Sequence, residues 1–154
     1  MCSSDIKIST ADIIYIGGGD TIKLKETVLE YKIDALLKEA YNRGCVMAGI
    51  SAGAILLTNE GFSDTFILRK ESTKHQFIEG LNFINISFCP HYHENTNKTK
   101  ELQKELKGTN KEVYSLENGT ALKIIDNKIK LIKSISTAKG YKVSFKNKYL
   151  EKEL

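Results

Sequence analysis

The sequence predicts an α/β fold: a mostly parallel sheet flanked by helices, with a C-terminal β-hairpin. Three observations predict it. Short apolar runs at 12–16 and 45–48 each open into glycine, and helix-type periodicity lies between them. Strand, glycine loop, helix, strand, turn and helix in that order form a βαβα pattern, which folds as parallel strands joined by crossover helices. Toward the C-terminus, apolar and polar residues alternate at 121–125 and 128–132 around Asp126-Asn127, the signature of a hairpin.

The chain of 154 residues fits one domain, 1–154, large enough to bury a core. No apolar run reaches membrane-spanning length, and Met1-Cys2-Ser3-Ser4-Asp5 has no apolar signal region. Cys2, Cys45 and Cys89 are scattered, with neither a disulfide framework nor metal-ligand spacing, which suits a reducing cytoplasm. The net charge of +4 is concentrated in lysines at 123, 128, 130, 133, 139, 142, 146 and 148. No arginine cluster or aromatic ladder accompanies them. They are expected to solvate exposed strands and guard a sheet edge rather than to bind nucleic acid.

Asp12-Ile13-Ile14-Tyr15-Ile16 reads as a buried strand that opens into Gly17-Gly18-Gly19-Asp20-Thr21. Bare backbone N–H groups in such a loop can hold an anion or an oxyanion. Helices are expected over 21–31 and 33–42. In the second, Ile33, Leu36, Leu37, Ala40 and Tyr41 share one face, and Arg43-Gly44 ends it.

Next comes Gly49-Ile50-Ser51-Ala52-Gly53, a G-x-S-x-G pattern between a small apolar strand and the helix-suited Ala54-Ile55-Leu56-Leu57. A tight strand-to-helix turn there exposes the Ser51 hydroxyl at the sheet end, and side chains at either glycine would crowd the turn. Residues 59–79 are polar and read as a long surface segment with one weak strand near 66–68. Asn85-Ile86-Ser87-Phe88-Cys89 is another apolar run, which breaks at Pro90, the single proline, directly before His91-Tyr92-His93. A charged helix over 96–107 turns Leu102 and Leu106 inward. A strand at 113–116 runs into Glu117-Asn118-Gly119, and Tyr141, Val143 and Phe145 mark a last strand.

Serine needs a base to take its proton, donors for the oxyanion, and an acid to orient the base. Of three histidines, His75 lies in the polar segment expected to be exposed, and His93 is either a substrate contact or a solvated histidine. His91, fixed by Pro90 at a strand end, is the candidate base. Two carboxylates compete for the orienting role. Glu117 ends a strand beside a glycine turn and is the better-held group; Asp64 is the alternative. The N–H groups of Ala52 and Gly19 are the candidate oxyanion donors.

Four stretches in order resemble the peptidase E family of aspartyl dipeptidases and cyanophycinases. Gly17-Gly18-Gly19-Asp20-Thr21 resembles its G-G-G-[ND]-T loop, and Gly49-Ile50-Ser51-Ala52-Gly53-Ala54 its G-x-S-A-G-A elbow. The stretch from Gly80-Leu81-Asn82 to Pro90-His91-Tyr92 resembles its G-L-[NG]…P-H-[YF] segment, and Glu117-Asn118-Gly119 its strand end. The resemblance implies a class I glutamine amidotransferase-like fold with a flavodoxin-like core. It implies a serine peptidase with Ser51 as nucleophile, His91 as base and Glu117 as acid, acting on short peptides without metal or organic cofactor. Thr99-Lys100-Glu101 puts lysine where the family's T-R-E carries a substrate-binding arginine. Lysine can pair with an aspartate but lacks arginine's bidentate contact. The family also places two further strands with their helices before the glycine loop, and Met1 to Ala11 is too short for them. The strand at 12–16 is therefore expected to be an edge with an uncovered apolar flank, open to self-association.

Overall fold

The computed structural model describes residues 3–94 and 96–154; Met1, Cys2 and Asn95 lie outside the described residues, so the expectation for Cys2 does too. In chain order the first elements are α1 (Ser3–Thr10), β1 (Ile13–Ile16), α2 (Thr21–Glu30), α3 (Ile33–Asn42), β2 (Val46–Gly49), α4 (Ala52–Leu57), β3 (Thr58–Ser63) and α5 (Thr65–Leu68). Then follow β4 (Gln76–Glu79), β5 (Ile84–Cys89), α6 (Thr96–Leu106), β6 (Glu112–Leu116), β7 (Thr120–Ile125), β8 (Lys128–Lys133), β9 (Gly140–Phe145) and β10 (Tyr149–Glu153). Among the described residues no helix is long and apolar enough to cross a membrane.

The strands form a six-stranded sheet, β10-β9-β6-β5-β3-β4, and two separate pairs, β1-β2 and β7-β8. The expectation of a mostly parallel sheet needs correction. Only β3/β5 and β5/β6 run parallel in the large sheet, while β3/β4, β6/β9 and β9/β10 are antiparallel, so it is mixed. Parallel neighbours need a crossover such as α6 between β5 and β6. Beyond β6 the chain has no helix to cross over with, and its strands return antiparallel. The β7-β8 hairpin turns at Asp126 and Asn127, both with left-handed backbone as a two-residue turn of this type requires.

Residues 59–79 also differ from expectation. β3 lies inside the sheet between β5 and β4, and Phe62 is fully buried. At Gly61 a Cβ would stand 2.4 Å from the Ile55 side chain, so this strand admits α4 against it only through glycine. Phe66 to Leu68 belongs to helix α5, not a strand.

Two of the core clusters serve different strand sets. Under α6, Phe62, Cys89, Tyr92, Leu102, Leu106, Val113 and Val143 fill the large sheet's core. Around β1-β2, Val28, Leu37 and Leu56 pack with Ile14, Ile16 and Met47. Alternation along the strands leaves the other face of this ribbon bare: Ile13 is 66% and Tyr15 64% exposed, with Val46 opposite Ile13 also exposed. Cys45 and Cys89 are buried free thiols.

Candidate active site

The elbow is built by close approach. A Cβ at Gly53 would stand 2.2 Å from the Ile16 carbonyl oxygen, and one at Gly49 would stand 2.5 Å from the Gly53 backbone. Only glycines let β1, β2 and α4 meet this tightly. Ser51, between them, has φ 50° and ψ −114°, a strained conformation of the kind that lifts a nucleophile out of a strand-to-helix turn. The Ala52 N–H follows in the first turn of α4, where no intrahelical acceptor exists.

The glycine loop lies against Ser51: a Cβ on Gly18 would come 3.3 Å from that of Ser51. Gly19 has φ 130°, a backbone shape other residues rarely adopt. Side chains pin the end of this loop. Asp20 caps α2 by accepting from the Lys23 N–H at 3.0 Å and pairs with Arg69 at 2.5 Å, while the Thr21 N–H donates to Thr65 Oγ1 at 2.8 Å.

His91 arrives from the other sheet, past the end of β5. Its Nε2 is 3.0 Å from Ser51 Oγ. Its Nδ1 is 2.8 Å from Asn118 Oδ1 and 3.3 Å from Glu94 Oε2. The turn carrying it is held by the buried Lys98 ammonium, which donates to the Pro90 carbonyl at 2.6 Å, and by the Tyr92 N–H, which donates to the Leu116 carbonyl at 2.8 Å.

Glu117 lies elsewhere than the sequence suggested. Its carboxylate meets His93 Nδ1 at 2.9 Å and accepts from the Lys139 N–H at 2.8 Å, so the group that touches His91 is its neighbour, Asn118. Partial burial would raise the Glu117 carboxyl, but the hydrogen bonds from His93 and Lys139 outweigh it and hold the group below the usual carboxylate range. Asp64 precedes α5 and borders a cleft of about 290 Å³ with His75, His91, Glu94 and Lys98, without a hydrogen bond to His91 among the described residues. Lys100 is exposed on α6, and Lys98 instead faces the cleft. His75, expected at the surface, is buried: its Nδ1 meets Glu101 at 2.7 Å and its ring stacks on Phe62. Among the described residues no group of His, Cys, Asp and Glu side chains is disposed to hold a metal ion.

Sequence reasoning missed Asn118, Glu94 and Lys98. A signal existed only for Asn118, which shares the matched strand-end motif with Glu117.

The family model described as Peptidase family S51 matches residues 3–132. The chain belongs to this family. It is 34% identical over 147 residues to the uncharacterized peptidase YgaJ of Bacillus subtilis (strain 168), a match covering 92% of this chain and 60% of that protein. It is 28% identical over 119 residues to the uncharacterized peptidase Lmo0363 of Listeria monocytogenes, covering 75% of this chain and 58% of that one. The chain thus spans about 60% of the length of the curated relatives it matches. Two solved structures share the fold. One is titled a putative peptidase E protein from Listeria monocytogenes EGD-e, with TM-score 0.64 and 24% identity over 84% of this chain and 63% of that one. The other is a peptidase from an acI-B1 actinobacterium, with TM-score 0.69 and 23% identity over 97% of this chain and 59% of that one.

Proposed function

We propose that this S51 chain is a serine-type peptidase that hydrolyses short peptides of dipeptide size through an acyl-enzyme on Ser51. The observation that carries the proposal is the 3.0 Å approach of His91 Nε2 to Ser51 Oγ, between residues 40 apart and on different sheets. For Nε2 to accept the serine proton, the neutral imidazole must carry its hydrogen on Nδ1. Asn118 Oδ1 and Glu94 Oε2, both acceptors at that nitrogen, favour this tautomer. As Ser51 attacks the peptide carbonyl, His91 takes its proton and becomes an imidazolium. The Glu94 carboxylate compensates that charge, since a neutral amide cannot. The Ala52 and Gly19 N–H groups receive the oxyanion. His91 then protonates the leaving amine, and water, deprotonated by the same imidazole, releases the acyl group.

In this mechanism Asn118 takes the orienting role, and Glu117 acts at one remove through His93. Lys100, exposed on α6, is a cation available to an acidic substrate side chain, whereas the buried Lys98 ammonium at the cleft wall is engaged by the Pro90 carbonyl. The test is Ser51→Ala. It should abolish hydrolysis of a dipeptide library and labelling by a fluorophosphonate probe; hydrolysis at the parent rate would refute the serine mechanism.

The bare face of the β1-β2 ribbon favours a second reading, in which the chain works by associating with a second copy of itself through Ile13, Tyr15 and Val46. A folded sample that resists the probe and sediments as a dimer would support it.

A further inference from the structure

We propose that the C-terminal strand β10 belongs to the catalytic apparatus, with Glu151 and Tyr149 acting as positioning residues for His91 through Tyr92 and His93. The inference rests on the Ser51–His91 mechanism above. It concerns a part of the chain the S51 match does not reach, since that match ends at residue 132.

The turn after Pro90 is held in an uncommon shape. His91 and His93 have φ of 55° and 67°, left-handed backbone that side-chain-bearing residues keep only when their surroundings impose it. Much of what imposes it comes from β10. The Tyr92 ring is buried, and its hydroxyl donates to the Glu151 carboxylate while standing 2.6 Å from the Tyr149 hydroxyl. The same carboxylate oxygen of Glu151 lies 3.4 Å from His93 Nε2. His93 in turn lies over the Tyr92 ring, centroids 4.1 Å apart. One carboxylate therefore grips two consecutive residues of the turn, directly beside the base.

The chemistry of the trio is consistent. Burial, reinforced by the bond to Glu151, pushes the Tyr92 phenol far above its ordinary value, so it stays a donor. Its proton goes to Glu151, which leaves the Tyr149 hydroxyl to donate to the Tyr92 oxygen. Among the described residues β10 pairs only with β9, with Glu151 opposite Val143. Tyr149 and Glu151 share one face of the strand by alternation. An acidic side chain on that face meets a buried hydroxyl and an imidazole, so its hydrogen-bond partners among the described residues lie in the turn that carries His91. With Glu151 removed, Tyr92 loses its acceptor and His93 one of its two carboxylate contacts. The 91–94 turn can then relax toward ordinary backbone, carrying the imidazole away from Ser51.

The experiment compares Glu151→Ala, Glu151→Gln and Tyr92→Phe in the full chain. It measures fluorophosphonate labelling of Ser51, kcat and KM on a dipeptide substrate, and the ring ¹H–¹³C NMR signals of His91. Glu151→Ala should slow labelling and kcat by about 10- to 100-fold with little change in KM, the pattern of a displaced catalytic group rather than a weakened binding site. Glu151→Gln keeps an acceptor for Tyr92 and should recover most of the rate. Labelling of Glu151→Ala at the parental rate would overturn the proposal, as would equal losses in the alanine and glutamine variants. Should Glu151→Ala not fold, Tyr92→Phe, which removes one oxygen and keeps the packing, decides in its place by the same rate criterion. An unlabelled parent protein would sink the serine mechanism instead. The His91 ring signals then judge the brace by themselves: displaced in Glu151→Ala and restored in Glu151→Gln if it is real, unmoved if it is not.

Discussion

Ser51 and His91 meet at 3.0 Å but are positioned by opposite means. Ser51 stands on a two-stranded ribbon and is placed by missing side chains: Gly49 and Gly53 let three backbone segments touch. His91 stands on a six-stranded sheet and is placed by side chains that are present, among them Lys98, Asn118, Glu94 and Tyr92. Backbone contact leaves no intermediate setting, so damage there should be abrupt. A polar network distributes the load, so damage there should be graded and partly repairable.

The largest effect is expected at Gly53. A Cβ 2.2 Å from the Ile16 carbonyl oxygen cannot be absorbed by a side-chain movement, because both partners are main chain. Gly53→Ala should destabilise the fold by about 3 kcal/mol or more, as severe overpacking does, measured by urea unfolding. A loss below about 1 kcal/mol would show that the ribbon yields and would erase the contrast between the two sides. On the His91 side, Asn118→Leu should leave the fold intact and cut Ser51 labelling by about 10- to 100-fold, since one of the two acceptors that favour the productive tautomer is lost while Glu94 remains. Asn118→Asp should label at least as fast as the parent, because it restores an acceptor and adds charge at Nδ1. Equal losses in both variants would mean that Asn118 supports the turn and not the imidazole.

Legibility in the sequence follows the same division. Backbone constraints were readable: the elbow, the glycine loop and the Pro90-His91 break each require a residue type at a fixed place. What depends on side-chain direction was not. Glu117 and Asn118 are consecutive at the end of β6, and the turn through Gly119, with φ 81°, decides which of them faces His91. Lys98 and Lys100 lie about 200° apart around a helix, so shifting attention by two residues exchanges the cleft for solvent. β3 escaped notice because Phe62 stands alone between Gly61 and Ser63. Its burial comes from β4 and β5 pairing on either side, which no local periodicity announces.

A smaller effect comes from Glu117, which sits in the network at one remove from His91. Its carboxyl is held below the ordinary value of 4.5 by His93 and the Lys139 N–H, against the upward push of partial burial. A group whose folded pKa is depressed adds stability that is fully present above its unfolded pKa and is lost as the pH falls through the lower folded value. The parent protein should therefore lose stability below about pH 4.5 more steeply than Glu117→Gln, as read by denaturant unfolding across that range. Parallel curves would place the His93–Glu117 pair outside the folding balance.

The smallest change in stability is expected on the ribbon's outer face, where the contrast between the two halves is greatest. Tyr15 is 64% exposed and packs on nothing within the chain's own core clusters, so Tyr15→Lys should alter unfolding stability by no more than about 0.5 kcal/mol. Its consequence lies between molecules. Among the described residues β1 pairs with β2 alone, which leaves one row of its backbone groups without a strand partner, and Ile13, Tyr15 and Val46 form an apolar surface beside that row. A second copy offering the same edge would extend the sheet and bring the two apolar patches side by side. Lysine at position 15 would bring two like charges together across such a contact. Sedimentation should find the parent associated and Tyr15→Lys monomeric, with Ser51 labelling preserved in the variant if the rim needs nothing from the partner. A parent that stays monomeric at high concentration would mean that the bare ribbon is not a contact between copies, and that Ser51 is held by packing within one chain, its glycines and the cluster of Val28, Leu37 and Leu56.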